Sequence, residues 1–104
     1  ICRGAQRINK FFNGKLKKIN NHVKTKHRIY GIIVKNKKII VNSYHDYGIK
    51  KETLGKNLKI LAYAKDNSIE CFCHNNLKIL GIMWHPERNS KLSFFDKKLI
   101  KKFL

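Results

Sequence analysis

Ile1-Cys2-Arg3-Gly4-Ala5-Gln6 stands at the head of the chain, a cysteine followed at once by small residues and then by a helical pattern. That is how a nucleophile is held in a strand-to-helix turn, with helix N-terminal amides aimed at it. Beyond Gln6, the apolar residues Ile8, Phe11 and Phe12 fall at i, i+3 and i+4, the stripe of a helix lying on a sheet. Asn13-Gly14 then supplies a left-handed stop. Turn, helix and stop are therefore expected in that order.

The rest of the chain reads as strands closed by a second helix. Lys15 to Ile19 alternates briefly, and Asn20 to His27 is polar and irregular. His22 and His27 within it are read as loop residues rather than metal ligands, because no acidic or thiol partner lies beside them at ligand spacing. Ile29 to Val34 and Ile39 to Val41, β-branched runs separated by a turn around Asn36, predict a hairpin. It runs into Asn42-Ser43-Tyr44-His45-Asp46-Tyr47-Gly48, a polar and aromatic cluster where a ligand-contacting loop is expected. Ile49 to Asn57 connects, with a helical turn at Lys51 to Leu54. Leu58 to Ala64, Ile69 to Cys73 and Lys78 to Trp84 then predict an antiparallel meander, split by the turn signals Asp66-Asn67-Ser68 and Asn75-Asn76. Pro86 forbids further pairing after His85. Ser93 to Leu104 predicts an amphipathic helix, with Ser93 and Asp96 as its capping signature.

A chain of 104 residues can build one core and no second domain. It carries 24 Lys plus Arg against 6 Asp plus Glu, a formal charge of +18, which steers any protein toward phosphate. The basic residues are nearly all lysine, with arginine only at Arg3, Arg7, Arg28 and Arg88, and they are scattered along the chain. Base readout favours arginine, so a solvated lysine-rich surface is the preferred reading and nucleic acid is not an expected partner. No apolar run is long enough to span a bilayer and no signal peptide is legible, so a cytoplasmic address without membrane association is expected. Three cysteines without a secretory signal are expected to be thiols.

Thiol catalysis needs a thiolate, a histidine that takes and returns a proton, and a third group that fixes the imidazole. Cys2, His85 and Glu87 supply one of each. The first and the last two lie at opposite ends of the chain, each at the end of a predicted strand, so that adjacent parallel strands could unite them. Cys71, Cys73 and His74 are the other candidate cluster. Cys71 and Cys73 share one strand face and lack a second ligand pair at zinc spacing, so they are read as buried thiols. His45 has two readings, in a substrate-side loop or bonded to the backbone at a strand end.

Ile1-Cys2-Arg3-Gly4-Ala5-Gln6 resembles the nucleophile motif of class I glutamine amidotransferases, and Trp84-His85-Pro86-Glu87 resembles their histidine and glutamate motif. Val41-Asn42-Ser43-Tyr44-His45 is similar to the Asn-Ser-aromatic-His segment of the γ-glutamyl hydrolase-like branch, and Asp66 through Glu70 to that branch's turn before an Ile-Glu pair. Four motifs in order cover nearly the whole chain. Asn67-Ser68 and Met83 depart from the family's small residue and glutamine. The resemblance implies an α/β fold, the C-terminal half of a flavodoxin-like amidotransferase domain with a mixed sheet and flanking helices, because the family domain is about twice this length. The first half would hold the strand into the elbow and a glycine-rich loop giving a second oxyanion donor.

The implied chemistry is hydrolysis of the γ-amide of glutamine or of a γ-glutamyl compound. Cys2 would be the nucleophile, His85 the general base and acid, and Glu87 the residue that orients it. The resemblance places the Arg3 amide in the oxyanion hole, Gln6 along the glutamine pocket, and the backbone of Ser43 and Tyr44, with His45 beside them, at the substrate's amino acid end. It implies no metal and no cofactor. A synthetase partner or a nucleotide-linked substrate would both suit the charge, and Glu70 is expected to be a structural or substrate-loop carboxylate. The alternative is an inactive remnant or a basic polyanion-binding module.

Overall fold

The computed structural model describes residues 1–104. Helix α1 spans Arg3–Phe11, strands β1 Lys17–Lys18, β2 Thr25–Tyr30, β3 Ile39–Ser43, β4 Tyr47–Gly48, β5 Leu58–Ala64, β6 Ile69–His74 and β7 Leu80–Ile82, and helix α2 Phe94–Phe103. Five strands form one sheet in the order β3-β2-β5-β6-β7, and β1 pairs with β4 in a separate two-stranded ribbon. The fold is the expected α/β arrangement of a sheet with flanking helices. Within this chain every strand pair is antiparallel.

β6 organises the sheet because it is buried on both faces. Cys71 and Cys73 enter one core, with Ile29, Leu61, Ile82, Trp84 and, from α2, Leu99. Phe72 turns to the opposite core, with Leu58, Met83 and, from α1, Cys2 and Ala5. Ile82, Met83 and Trp84 divide between the two cores in the same alternating way. The two helices therefore cover opposite faces. The buried-thiol reading of Cys71 and Cys73 holds, and burial pushes both thiols up in pKa.

Several local expectations are corrected. Of the expected stripe, Ile8 and Phe12 pack against the core but Phe11 is 80% exposed, and the most buried residues of α1 are Ala5 and Asn9. Asn9 pins α1 to the loops, donating to the Lys15 and Thr53 carbonyls and accepting from the Gly55 amide at 2.6 Å. The strand expected from Ile29 to Val34 instead ends at Tyr30. Gly31 has φ +129, and a Cβ there would meet the Leu61 carbonyl oxygen at 2.6 Å, so the chain turns and Val34 reaches the core from that turn. His27 lies in β2, and β7 covers only the centre of its expected span.

The short turn at Lys51–Thr53 and the limits of β5 agree with expectation. In α2 the Ser93 hydroxyl accepts from the Asp96 amide at 3.0 Å. Asp96 is itself buried and accepts the Trp84 indole N–H at 2.8 Å, so the cap also ties α2 to the end of β7. No helix is long and apolar enough to cross a membrane.

Candidate active site

Cys2 is the N-cap of α1 and has φ 43 and ψ −95. A non-glycine residue at positive φ costs on the order of 1–3 kcal/mol, and such strain collects at functional sites. The strain is held by backbone bonds on both sides: the Cys2 amide donates to the Ile82 carbonyl at the end of β7, and the Cys2 carbonyl accepts from the Gln6 amide at 2.9 Å. The side chain is 8% exposed. Burial pushes its thiol up and the Glu70 carboxylate adds to the rise, while Arg88 and the Arg3 amide pull the other way without cancelling it. The resting group is a thiol that needs a base.

Three residues beyond Ile82 comes His85. Its Nδ1 bonds Glu87 Oε2 at 2.7 Å, which leaves Nε2 for a reacting group. Burial raises the Glu87 carboxyl, but the His85 bond, a backbone amide and the His85 and Arg88 charges together outweigh it and the net shift is downward. Pro86 starts a 3₁₀ turn over Pro86–Arg88, and this turn folds the carboxylate back to the ring two residues behind it. The backbone of His85 is clamped by Asn42, which accepts from the His85 amide at 2.7 Å and donates to its carbonyl at 2.8 Å. Thiol and imidazole are brought to the same end of β7 by the Cys2–Ile82 bond, with no hydrogen bond between them. Such bonds often tighten only when substrate binds.

The rim comes from β3 and the loop between β3 and β4. Tyr44 sets its ring edge-on to His85, centroids 5.8 Å apart, and Arg88 lies over the Tyr44 ring at 4.1 Å. Gln6 donates to the Tyr47 carbonyl at 3.0 Å, so α1 is tied to the end of that loop. Ser43 is fully buried and its hydroxyl donates to the His22 carbonyl at 2.6 Å, so its side chain ties β3 to the loop before β2. His45 is also buried, bonding the Tyr47 carbonyl through Nδ1 at 3.0 Å. Its structural reading is the one seen, although its other nitrogen faces a carboxylate.

Two features escaped the sequence reading. Asn42 is one; its signal was an amide at a strand end, immediately before Ser43-Tyr44. The second is the surroundings of Glu70, which is fully buried with His27 Nε2 at 2.8 Å from Oε1. His22 sits in a loop as expected but is only 3% exposed, and it too faces Glu70. The partners of these histidines lie more than 40 residues away in sequence, beyond the reach of any local spacing rule.

The family described as "Glutamine amidotransferase class-I" matches residues 1–104. A γ-glutamyl-CDP-amidate hydrolase of Campylobacter jejuni is 44% identical over 93 residues, covering 89% of this chain and 44% of the relative. An aminodeoxychorismate/anthranilate synthase component 2 of Bacillus subtilis is 31% identical over 111 aligned positions, covering 100% of this chain and 56% of the relative. Among solved structures, a putative GMP synthase subunit from Thermoplasma acidophilum superposes with a TM-score of 0.76 at 20% identity, over 98% of this chain and 52% of that one. The chain thus spans about half the length of the proteins it matches. With the motif-bearing ends and the sheet between them all inside the matched region, the chain belongs to the class I glutamine amidotransferase family.

Proposed function

We propose that the protein hydrolyses the γ-amide of a γ-glutamyl compound or of glutamine through a thioester on Cys2, and that residues 1–104 are the C-terminal part of the domain that does so. The observation that carries this reading is the strained turn at Cys2, anchored to the strand that leads into the His85–Glu87 pair. His85 Nε2 takes the proton of the Cys2 thiol as sulfur attacks the γ-carbonyl. The Arg3 amide, at the first position of α1, donates to the oxyanion. The C–N bond then breaks and His85 returns the proton to the leaving nitrogen. Water, deprotonated by His85, attacks the thioester, releases glutamate and restores the thiol. Glu87 holds the Nδ1 proton throughout.

The hydrolase among the relatives supports a γ-glutamyl amide with a nucleotide-linked leaving group as substrate, and the +18 charge suits its phosphates. The synthase components among the relatives favour a second reading, delivery of ammonia to a synthetase partner. The test measures glutamate release by the full natural chain from glutamine and from a γ-glutamyl nucleotide amide, with Cys2→Ala alongside. Loss of release in the variant is expected. Unchanged turnover overturns the reading and leaves a basic polyanion-binding remnant in its place.

A further inference from the structure

Behind the candidate active site, three buried side chains from distant parts of the sequence converge. His22 comes from the loop before β2, His45 from the turn between β3 and β4, and Glu70 from β6. One ligand atom from each lies within 4.8 Å of the others. His22 Nδ1 is 3.8 Å and His45 Nε2 3.5 Å from Glu70 Oε2. The residues are 3%, 4% and 0% exposed.

Hydrogen-bond accounting shows what these atoms lack. His22 Nε2 is 2.8 Å from Asp66 Oδ2, so that nitrogen carries the proton and Nδ1 is left with a lone pair; the Ser43 hydroxyl 3.4 Å from it already donates to the His22 carbonyl. His45 Nδ1 donates to the Tyr47 carbonyl, so Nε2 is left with a lone pair. Glu70 Oε1 takes the bond from His27, and Oε2 is a further acceptor. His45 Nε2 and Glu70 Oε2 are both buried without a hydrogen-bond partner. Three acceptors facing one another out of water is a costly arrangement unless something positive joins them.

We infer that His22, His45 and Glu70 form a binding site for a divalent transition metal, Zn²⁺ by ligand chemistry. Two imidazoles and one carboxylate are a common zinc set, and bonds of about 2.0–2.2 Å place tetrahedral ligand atoms roughly 3.3–3.6 Å apart. The two separations to Glu70 Oε2 need to contract by only a few tenths of an ångström, and the two imidazole nitrogens, within 4.8 Å of each other, draw together on the ion. The outer partners are those of a metal site: a carboxylate on His22, a carbonyl on His45 and an imidazole on Glu70. Water takes the fourth position. The ion would lock Ser43–His45, and with it Asn42, whose side chain clamps the His85 backbone.

The test uses the full natural chain, loaded with Zn²⁺, freed of excess metal and analysed for zinc by mass spectrometry, with Co²⁺ substitution in parallel. About one equivalent per chain is expected, falling at least tenfold in Glu70→Gln and His45→Ala but retained in Cys2→Ser. The cobalt form should show four-coordinate d–d absorption without thiolate charge transfer. Folded wild type holding under a tenth of an equivalent, stoichiometry unmoved by the ligand variants, or a thiolate band each overturns the site. Should the ligand variants fail to fold, Asp66→Asn decides: a 10- to 100-fold weaker zinc affinity is expected from removing an outer partner, and an unchanged affinity rejects the inference.

Discussion

The molecule holds two histidine–carboxylate constellations that differ in depth. At the end of β7, His85 bonds Glu87, a carboxylate whose side chain is 54% exposed. Behind it, three histidines surround Glu70, which is fully buried. The first is assembled by a tight turn from residues two apart in sequence; the second exists only because three segments pack together. An exposed carboxylate pair is screened and adds little to stability, so its proposed worth lies in catalysis. A buried one must be satisfied for the fold to persist, so its worth lies in stability. Activity and stability should therefore separate between the two sites.

The largest expected effect is on the first site. His85→Ala should lower glutamate release by about 10⁶-fold while leaving the melting temperature near that of wild type. A large fall in stability would mean that the imidazole is structural and the two sites are alike. Glu70→Gln, by contrast, should destabilise by about 3–5 kcal/mol, the cost of breaking a buried charged network from one side; chemical denaturation measures it.

The pH dependence sharpens the same contrast. Burial alone would raise the Glu70 carboxyl, but the bond from His27 and the electrostatic pull of the facing His27 and His45 imidazoles together outweigh it, so its pKa is lowered on folding. Asp66, held by Ser68 and His22 against its own desolvation, is lowered too. A group lowered in the folded state contributes stability that is present above its unfolded value, near 4, and that is lost as pH falls through the folded value. Wild type should lose stability below about pH 4, and Glu70→Gln should show a shallower acid limb. Parallel acid limbs would remove Glu70 from the account.

Asn42 connects the two constellations. Asn42→Ala removes two bonds to the His85 backbone and should cost about 1–3 kcal/mol, with kcat falling more than KM changes because the base is misplaced and the pocket is not. Smallest is Ser93→Ala, at about 1 kcal/mol for one helix cap. That variant sits on the α2 face of the sheet, away from both constellations, and should leave activity intact.

The elements that were legible in the sequence are those whose signals are local. β5 and the 51–53 turn needed only apolar runs and turn residues, and Cys2, His85 and Glu87 carry chemistry in motifs of a few residues. Phe11 misled because helical spacing marks a face without saying which neighbours cover it, and α1 turned the polar Asn9 inward to satisfy three backbone groups of distant loops. His27 misled for the same reason: it lies in β2, and its partner Glu70 is 43 residues away, out of reach of a search among chain neighbours.

By itself, then, the sequence determined the family, the succession of helices and strands, and the residues proposed as nucleophile, base and orienter, because each rests on contacts within a few positions. Only the tertiary structure decided that a carboxylate and three imidazoles would share one buried space, since burial and convergence are properties of packing and have no sequence period. The same holds for the Cys2 turn. One of the two backbone bonds that hold it comes from a carbonyl of β7, eighty residues further along the chain.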